Sequence, residues 1–318
     1  RPAAVGHAVL RPEQRVRSSV RRALAARGLM EAVTWSFTEP ALAEWFGGAS
    51  TRLKNPLNAE LSVMRPSVLA NLVSAGARNQ ARGSRSVALF EVGPRFTGSE
   101  PGEQDWAAGG LRAGATHERH WLEPARPVDL FDARADAVAA LRTAGLNTEA
   151  LKVVADGPEH YHPGRKGRLT LGPTAVVAEF GEIHPAILKE FDLEGPAVAF
   201  EVFLDRLPKP KVRKTRARPP LKASPYPPVD RDFAFVVGDE VAAETLLAAV
   251  RSADKSLVRD VTLFDVYTGT GLEVGQKSLA VAVRLQAADR TLAEDEIEAA
   301  VRKIVSAAGK ATGATLRT

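Results

Sequence analysis

The first two thirds of the chain mix helical and strand periodicities of hydrophobic residues. Val16, Val20 and Leu24 recur at four-residue spacing between arginines, which predicts an amphipathic helix that ends at Gly28. Residues 30–37 alternate between two faces and predict a single strand. Further elements are predicted as helices at 67–79 and 129–144 and as strands near 86–92, 106–113, 150–154, 167–171, 175–180 and 198–203. Because strands form the majority, we expect an α+β sheet with helices on one side.

The order of elements is clearer in residues 224–318. The turn TGTG at 268–271 lies between two alternating segments and predicts a hairpin, since its glycines join strands and do not open a helix as a phosphate loop would. Thr291 and Glu294 have the spacing of a capping box and predict the start of a helix. The predicted elements are a strand, a helix, two strands, a helix and a short strand, at 232–237, 242–253, 257–267, 277–287, 291–308 and 313–317. This βαββαβ order is that of the ferredoxin-like fold.

Charge divides the chain into three parts. Residues 1–205 carry 24 Lys/Arg and 24 Asp/Glu, residues 224–318 carry 11 and 14, and residues 206–223 carry 8 and none. Residues 206–223, which we call the basic linker, contain four prolines and cannot form a regular helix or a central strand. It is therefore the predicted domain boundary. The linker can bind phosphates or can be a solvated spacer kept extended by its charges, and both alternatives stay open.

Composition and motifs exclude several kinds of site. The chain has no cysteine, which excludes thiolate chemistry and fits a cytoplasmic location, and it has no apolar run near the ~20 residues of a membrane span. His117 and His120 could share a metal, as could His160 and His162, but neither pair has a third ligand at motif spacing. Phosphate loops, nucleophile elbows and dinucleotide fingerprints do not occur. We therefore expect no metal site and no self-sufficient active site.

Several stretches in a fixed order resemble the beta subunit of bacterial phenylalanyl-tRNA synthetase. In the first two thirds these are LKNPLN (53–58), SVMRPSVLANLVSAGARNQAR (62–82), LFEVGPRF (89–96), YHPG (161–164), GEIHP (181–185) and AFEVFLDRL (199–207). In the last third they are SPYPPVDRDFAFVV (224–237), LFDVYTGTGL (263–272) and DRTL (289–292). The resemblance covers residues from about 12 to 317 and implies only the C-terminal portion of that subunit. Residues 1–10 would then be a linker from a preceding domain that is absent here.

The resemblance implies that residues 11–205 form the antiparallel sheet and helices of a class II synthetase core in degenerate form. An active class II site needs an arginine on the hairpin that begins at 90–96, because bidentate, charge-assisted contacts hold the ATP phosphate and the carboxylate. Here Thr97 follows Phe96, and Arg95 is expected on the other side of the strand. Bulky residues, Phe200, Glu201, Val202 and Phe203, stand where an active core has glycines. We therefore predict that this chain carries no catalytic residue and performs no adenylation.

The resemblance also implies the partners. The family's alpha subunit performs aminoacylation with ATP and Mg²⁺ in an (αβ)2 heterotetramer, so this chain is expected to need no cofactor of its own, with the magnesium sites outside it. The predicted helix would contact the alpha subunit through Val16, Val20, Leu24 and Arg21, although internal packing explains its apolar stripe equally well.

The ferredoxin-like domain, 224–318, would bind the anticodon region of tRNA(Phe). RNA loops are bound by stacking bases on aromatic or arginine planes while cations hold the phosphates. The candidates at matching positions are Tyr226, Arg231, Tyr267, Lys277 and Arg290, joined by the linker residues Lys211, Arg213, Lys214 and Arg216. Phe264 is a further candidate at a matching position, for which packing in the core is expected ahead of stacking on a base. Asp230, Asp232 and Asp265 are predicted to orient neighbours or cap turns.

Two functions from different classes follow. The first is a non-catalytic beta subunit that supports the alpha subunit's aminoacylation of tRNA(Phe). The alternative is a stand-alone RNA-binding or regulatory protein that uses the synthetase-like core only as a scaffold. A stable complex with an alpha subunit would favour the first, and tRNA binding by a lone monomer would favour the second.

Overall fold

The computed structural model describes residues 10–100, 102–208 and 223–317. They belong to two compact units that divide between Arg213 and Lys214, within the basic linker. Each unit has its own sheet and its own hydrophobic core. In the described ranges, no helix combines the length and the hydrophobicity that crossing a membrane requires.

The larger unit is built on a seven-stranded sheet. Its helices are α1 (Pro12–Ala26), α2 (Pro40–Trp45), α3 (Val68–Ala81), α4 (Leu130–Thr143) and α5 (Pro185–Glu190). Its strands are β1 (Met30–Glu31), β2 (Phe37–Thr38), β3 (Val63–Met64), β4 (Ser86–Phe96), β5 (Gln104–Gly114), β6 (Leu151–Val154), β7 (Tyr161–Leu171), β8 (Ala175–Ile183) and β9 (Ala197–Phe203). The strand order is β1-β4-β5-β9-β8-β7-β6, and every neighbouring pair is antiparallel except β1 and β4. The predicted antiparallel α+β sheet is confirmed.

Helices cover both faces of this sheet. On one face, Phe90 and Phe200 pack in a cluster with Leu24 of α1 and with α4. On the other face, Leu89 and Leu111 pack in a cluster with α3. The prediction of helices on one side is wrong, because consecutive apolar residues such as Leu89 and Phe90 serve two buried faces.

The segment 30–37 is not a single strand. Met30 and Glu31 form β1 at the edge of the large sheet, Phe37 begins β2, which pairs with β3, and residues 32–36 belong to no strand. Val33 is 89% exposed and Trp35 is 63% exposed. Alternation in this segment therefore does not reflect one buried strand face. The short helices α2 and α5 escape prediction because six residues hold fewer than two helical turns.

The smaller unit has the ferredoxin-like order. Its elements are β10 (Val229–Gly238), α6 (Ala243–Ala253), β11 (Val258–Tyr267), β12 (Gln276–Leu285), α7 (Glu294–Thr312) and β13 (Thr315–Leu316). The strands lie in the order β11-β12-β10-β13. Phe235, Leu279, Leu246 and Ile304 are fully or nearly fully buried where α6 and α7 pack on one face of the sheet. The opposite face, which we call the open face, carries Tyr267, one of the candidate RNA contacts.

The start of α7 differs from the prediction. The helix begins at Glu294, and the side chain of Glu296, not Glu294, accepts a hydrogen bond from the backbone N–H of Ala293 at 3.1 Å. Thr291 therefore lies before the cap. The run Glu294, Asp295 and Glu296 supplies three carboxylates to the first turn, where the helix dipole favours negative charge.

Candidate functional site

A buried arginine lies beside β4 of the large sheet, within hydrogen-bond distance of Glu91 and Pro94. The side chain of Arg65 is 1% exposed and its Nη1 donates to Glu91 Oε1 at 2.8 Å. The same guanidinium donates to the Pro94 carbonyl and to the Thr34 hydroxyl, both at 2.9 Å. Glu91 also accepts from the Thr34 hydroxyl at 2.6 Å. All these hydrogen bonds are internal, and they use Nε and Nη1 of the guanidinium.

A second arginine fills the neighbouring part of the same sheet face. Arg95 Nη2 lies 3.2 Å from Asp105 Oδ2, its Nη1 lies 3.8 Å from Glu201 Oε2, and its guanidinium lies 4.3 Å from the centre of the Phe203 ring. Arg95 is therefore on the side of β4 that carries Glu91, opposite to Phe96. It faces this side because residues 91, 93 and 95 alternate along one strand. Its charge is matched by carboxylates of the same chain.

Glu201 is held by groups that a ligand would have to displace. It is 3% exposed, and its Oε1 accepts hydrogen bonds from the Ser67 hydroxyl at 2.8 Å and from the Val68 backbone N–H at 2.9 Å. Burial raises the pKa of Glu201, while Arg95 and these two hydrogen bonds act in the opposite direction. The carboxylate is therefore held by groups of the chain itself.

The four bulky residues of β9 divide between the two faces of the large sheet. Phe200 and Val202 face the α1 side of the sheet, where they join the core with α4. Glu201 and Phe203 alternate with them and face the α3 side, with Arg95. Gly109 lies beneath this region, but a Cβ there would clash with Val68. Its missing side chain thus makes room for the chain's own residues and not for a ligand.

The predicted interface helix is largely internal. Val20 and Leu24 of α1 are fully buried in the core of the larger unit, and Val16 is partly buried against it. Internal packing, the alternative left open by the sequence, accounts for these three side chains. Arg21 donates to Glu31 at 2.7 Å and to the Val92 carbonyl at 2.9 Å, so it ties α1 to β1 and β4.

Large apolar side chains are exposed next to α1. Met30 is 64% exposed, and Val33 and Trp35 are more than half exposed as well. Leu57, in a separate loop, is 70% exposed. Grouped exposure of large apolar residues on a soluble domain is typical of a surface that another molecule covers.

The open face of the smaller sheet has a floor of small side chains. The first row across the strands is Asp265, Ala280 and Ala234, and the N–H of Arg317 donates to the Ala234 carbonyl at 2.8 Å. The next row is Tyr267, Ser278, Val236 and Thr315. Alanines leave a flat surface on which a planar base can lie beside the aromatic ring of Tyr267. This arrangement combines residues of all four strands, and only Tyr267 was predicted among them as a tRNA contact.

Two predictions on β11 are corrected. Phe264 is 57% exposed instead of packing in the core, because a β-bulge between Leu263 and Asp265 takes it out of the regular alternation. Asp265 is exposed and neither caps a turn nor pairs with a neighbour among the described residues. Within the described residues, its carboxylate is an acceptor on the open face that no donor uses. By contrast, Asp230 does orient a neighbour, since its two oxygens lie 2.8 and 2.9 Å from the Arg284 guanidinium.

The other predicted tRNA contacts do not converge on the open face. Arg231 lies 3.7 Å from Glu294, and Arg290 lies 2.6 Å from Glu296, so both are near the start of α7. Lys277 donates to the Asp239 carbonyl. Tyr226 lies beside Gln286, which donates to its carbonyl. The linker candidates Lys211, Arg213, Lys214 and Arg216 lie outside the described residues.

The histidines of both predicted pairs make contacts with nearby residues of the larger unit. His160 is 5% exposed and stacks on Phe46 at 4.7 Å between ring centres, while the Nδ1 of His162 accepts a hydrogen bond from the Gly164 N–H. His117 and His120 meet edge to face at 6.3 Å. Across residues 10–100, 102–208 and 223–317, no three His, Cys, Asp or Glu side chains are grouped as metal ligands would be.

Known proteins define the class to which this architecture belongs. A family model described as ferredoxin-fold anticodon binding domain matches residues 224–317, the part of the chain with the βαββαβ order. The larger unit is matched over residues 2–204 by the model of the phenylalanyl tRNA synthetase beta chain CLM domain. The chain belongs to the phenylalanyl-tRNA synthetase beta chain family.

Relatives agree with this assignment and are much longer. The chain is 54% identical over 312 residues to the phenylalanine–tRNA ligase beta subunit of Rhodospirillum rubrum, covering 98% of this chain and 39% of that protein. It is 52% identical over 311 residues to the beta subunit of Paramagnetospirillum magneticum, again covering 39% of the relative. A pyrrolysyl tRNA synthetase from Desulfitobacterium hafniense aligns with a TM-score of 0.46 and 15% identity over 60% of this chain and 66% of its own, a likeness too weak to carry an argument.

Proposed function

We propose that this chain forms the C-terminal part of the beta subunit of a cytoplasmic phenylalanine–tRNA ligase and performs no adenylation itself. In this role it supports an alpha subunit that converts ATP, phenylalanine and tRNA(Phe) to Phe-tRNA(Phe), AMP and diphosphate. ATP and Mg²⁺ then bind outside this chain. The observation that carries the proposal is that two arginines of the synthetase-like core, Arg65 and Arg95, are already paired with the chain's own carboxylates, those of Glu91, Asp105 and Glu201.

Electrostatics make the surroundings of these two arginines unsuitable for ATP. A phosphate that approached Arg95 would have to replace the carboxylates of Asp105 and Glu201. Displacing Arg65 would leave Glu91 as a buried, unpaired charge, which costs about 3–5 kcal/mol. A binding event would have to supply that free energy before it gained anything. The larger unit is therefore proposed to act as a scaffold.

The exposed apolar residues support an alpha-subunit interface beside α1. Because Val20 and Leu24 are enclosed by the chain's own core, a partner reaches the rim of α1, where Arg21 lies, and the neighbouring segment with Met30, Val33 and Trp35. Covering such side chains stabilises an interface by about 25 cal/mol per Å² of apolar surface removed from water. We propose that this face binds the alpha subunit in an (αβ)2 assembly.

The open face supports contact with the anticodon loop through bases rather than phosphates. Its exposed carboxylates, Asp232 and Asp265, would repel a phosphate backbone but can accept hydrogen bonds from base N–H groups. Tyr267 supplies a ring for stacking. Phosphates would then be bound by cations beyond this face, for which Arg231, Lys277, Arg290 and the basic linker remain the candidates, while Tyr226 remains a candidate for stacking on a base.

Reconstitution tests this function. The chain is mixed with a phenylalanyl-tRNA synthetase alpha subunit and tRNA(Phe), separated by size-exclusion chromatography, and each fraction is assayed for aminoacylation. We expect a stoichiometric complex that aminoacylates tRNA(Phe), while the chain alone does not. A chain that stays monomeric in the presence of the alpha subunit but binds tRNA would instead favour the stand-alone RNA-binding protein.

A further inference from the structure

The ring of Tyr267 is fixed at its hydroxyl end. The hydroxyl donates to the Thr270 carbonyl at 3.1 Å and lies 3.3 Å from the Thr270 hydroxyl. The ring passes directly over the turn, since a Cβ at Gly269 would stand 2.7 Å from the hydroxyl oxygen, closer than real Cβ atoms approach. The turn thus holds the tip of the ring, but a ring held at Cβ and at its hydroxyl can still rotate about the axis that joins them.

A second contact comes from the opposite edge of the sheet. β11, which carries Tyr267, and β13 are the two outer strands, separated by β12 and β10. Arg317 follows β13, and its backbone N–H is anchored to the Ala234 carbonyl at 2.8 Å. Its guanidinium lies 4.9 Å from the centre of the Tyr267 ring. The two long side chains therefore meet above the middle strands of the open face.

We propose that Arg317 is a positioning residue that holds the Tyr267 ring in the orientation in which an RNA base stacks on it. The inference rests on the proposed function of the open face as an anticodon-loop site. Arg317 acts through the cation–π contact with one part of the ring, and the base takes the remaining surface above Ala234 and Ala280. The turn holds the hydroxyl of Tyr267, and the Arg317 guanidinium holds the orientation of the ring plane. Because the ring is already oriented in the free protein, binding RNA costs less conformational entropy.

The expected effect is modest and specific. Cation–π contacts at exposed sites correspond to a change of about 2- to 5-fold in an equilibrium constant. Arg317→Ala should therefore weaken RNA binding by about that factor. Arg317→Lys keeps a cation and should recover part of the loss.

The test uses the full chain and a fluorescein-labelled anticodon stem–loop of tRNA(Phe). Affinities are measured by fluorescence anisotropy for the wild type, Arg317→Ala, Arg317→Lys and Tyr267→Ala. Arg302→Ala serves as the matched control, because it removes one exposed arginine of the same unit from α7, on the other face of the sheet. Thermal unfolding followed by circular dichroism checks that each variant folds as the wild type does.

A second readout reports on stacking itself. Stem–loops with 2-aminopurine at each anticodon position are titrated to saturation, and the residual fluorescence is compared. We expect the position that stacks on Tyr267 to be quenched in the wild type and less quenched at saturation with Arg317→Ala. A purely structural loss would lower affinity without changing this plateau.

The outcomes separate the inference from the function on which it rests. Unchanged affinity and unchanged quenching in Arg317→Ala, with weaker binding in Tyr267→Ala, would overturn the positioning role and leave the open face as the RNA site. Tighter binding by Arg317→Ala would also overturn it, because the guanidinium would then be competing with the base. If Tyr267→Ala binds as the wild type does, the stacking site itself is refuted.

Discussion

Replacing Arg65 by methionine should lower the free energy of unfolding of the larger unit by more than a surface substitution does. The side chains of Arg65 and Glu91 are 1% and 6% exposed, and they are joined at 2.8 Å. Arg65→Met fills a similar volume but leaves Glu91 with the Thr34 hydroxyl as its remaining partner. Removing one member of a buried pair costs about 3–5 kcal/mol, against about 5–15 kcal/mol for the whole stability of a domain.

The double variant Arg65→Met/Glu91→Gln should recover most of this loss. A neutral amide no longer needs a cation and can still bond to the Thr34 hydroxyl. Arg134→Met, which removes an exposed arginine of α4, is the matched control and should change the free energy of unfolding by less than about 0.5 kcal/mol.

Tryptophan fluorescence makes the assay selective for the larger unit. Urea unfolding followed by tryptophan fluorescence reports on the larger unit alone, because that unit contains all four tryptophans, Trp35, Trp45, Trp106 and Trp121. The reasoning is refuted if Arg65→Met lies within about 1 kcal/mol of the wild type, or if the double variant is no more stable than the single one.

Three further predictions concern pH and the partner surface. Burial lowers the pKa of His160 to about 3, so the unfolded state takes up a proton below its ordinary pKa while the folded state does not. The larger unit should lose about 1.4 kcal/mol per pH unit as pH falls from about 6.5 towards 3, and His160→Phe should remove this slope in urea unfolding at a series of pH values. A hydrogen bond from Lys303 lowers the pKa of Asp254 to about 2, so its stabilisation is present above about pH 4 and is lost as pH falls towards 2. Asp254→Asn should therefore flatten the pH dependence of smaller-unit unfolding, measured by circular dichroism, in that window; an unchanged curve would contradict the pairing. Val33→Ser/Trp35→Ser should weaken co-elution with the alpha subunit without lowering the chain's own melting temperature, because both side chains are exposed in this chain.

Local patterns predict much of the fold. The four-residue repeat of Val16, Val20 and Leu24 predicts α1, which runs to within two residues of Gly28, and the alternation around TGTG predicts the β11–β12 hairpin. These succeed because each pattern is fixed by one element packing on one core face. The pattern of residues 30–37 does not predict the structure, because Val33 and Trp35 are exposed and do not pack in the core of this chain.

The candidate sites depend on contacts between distant residues, and these have no local signature. Arg65 and Glu91 are 26 positions apart, and each looks like an ordinary charged residue until the sheet brings them together. Tyr267 could be predicted from its motif, but its contact with Arg317 requires knowing that β11 and β13 are opposite edges of one sheet. The sequence favours a core position for Phe264 because alternation alone does not reveal a one-residue bulge.

The most direct test of the central claim is a measurement of ATP binding and adenylate formation by the chain alone. Isothermal titration with Mg-ATP, with and without phenylalanine, is paired with an ATP–diphosphate exchange assay, and the reconstituted complex with the alpha subunit is the positive control. We predict no saturable binding and no exchange for the chain alone, because Arg65 and Arg95 are already paired with the chain's own carboxylates. Saturable binding with exchange, abolished by Arg95→Ala in a variant that still folds, would contradict the account.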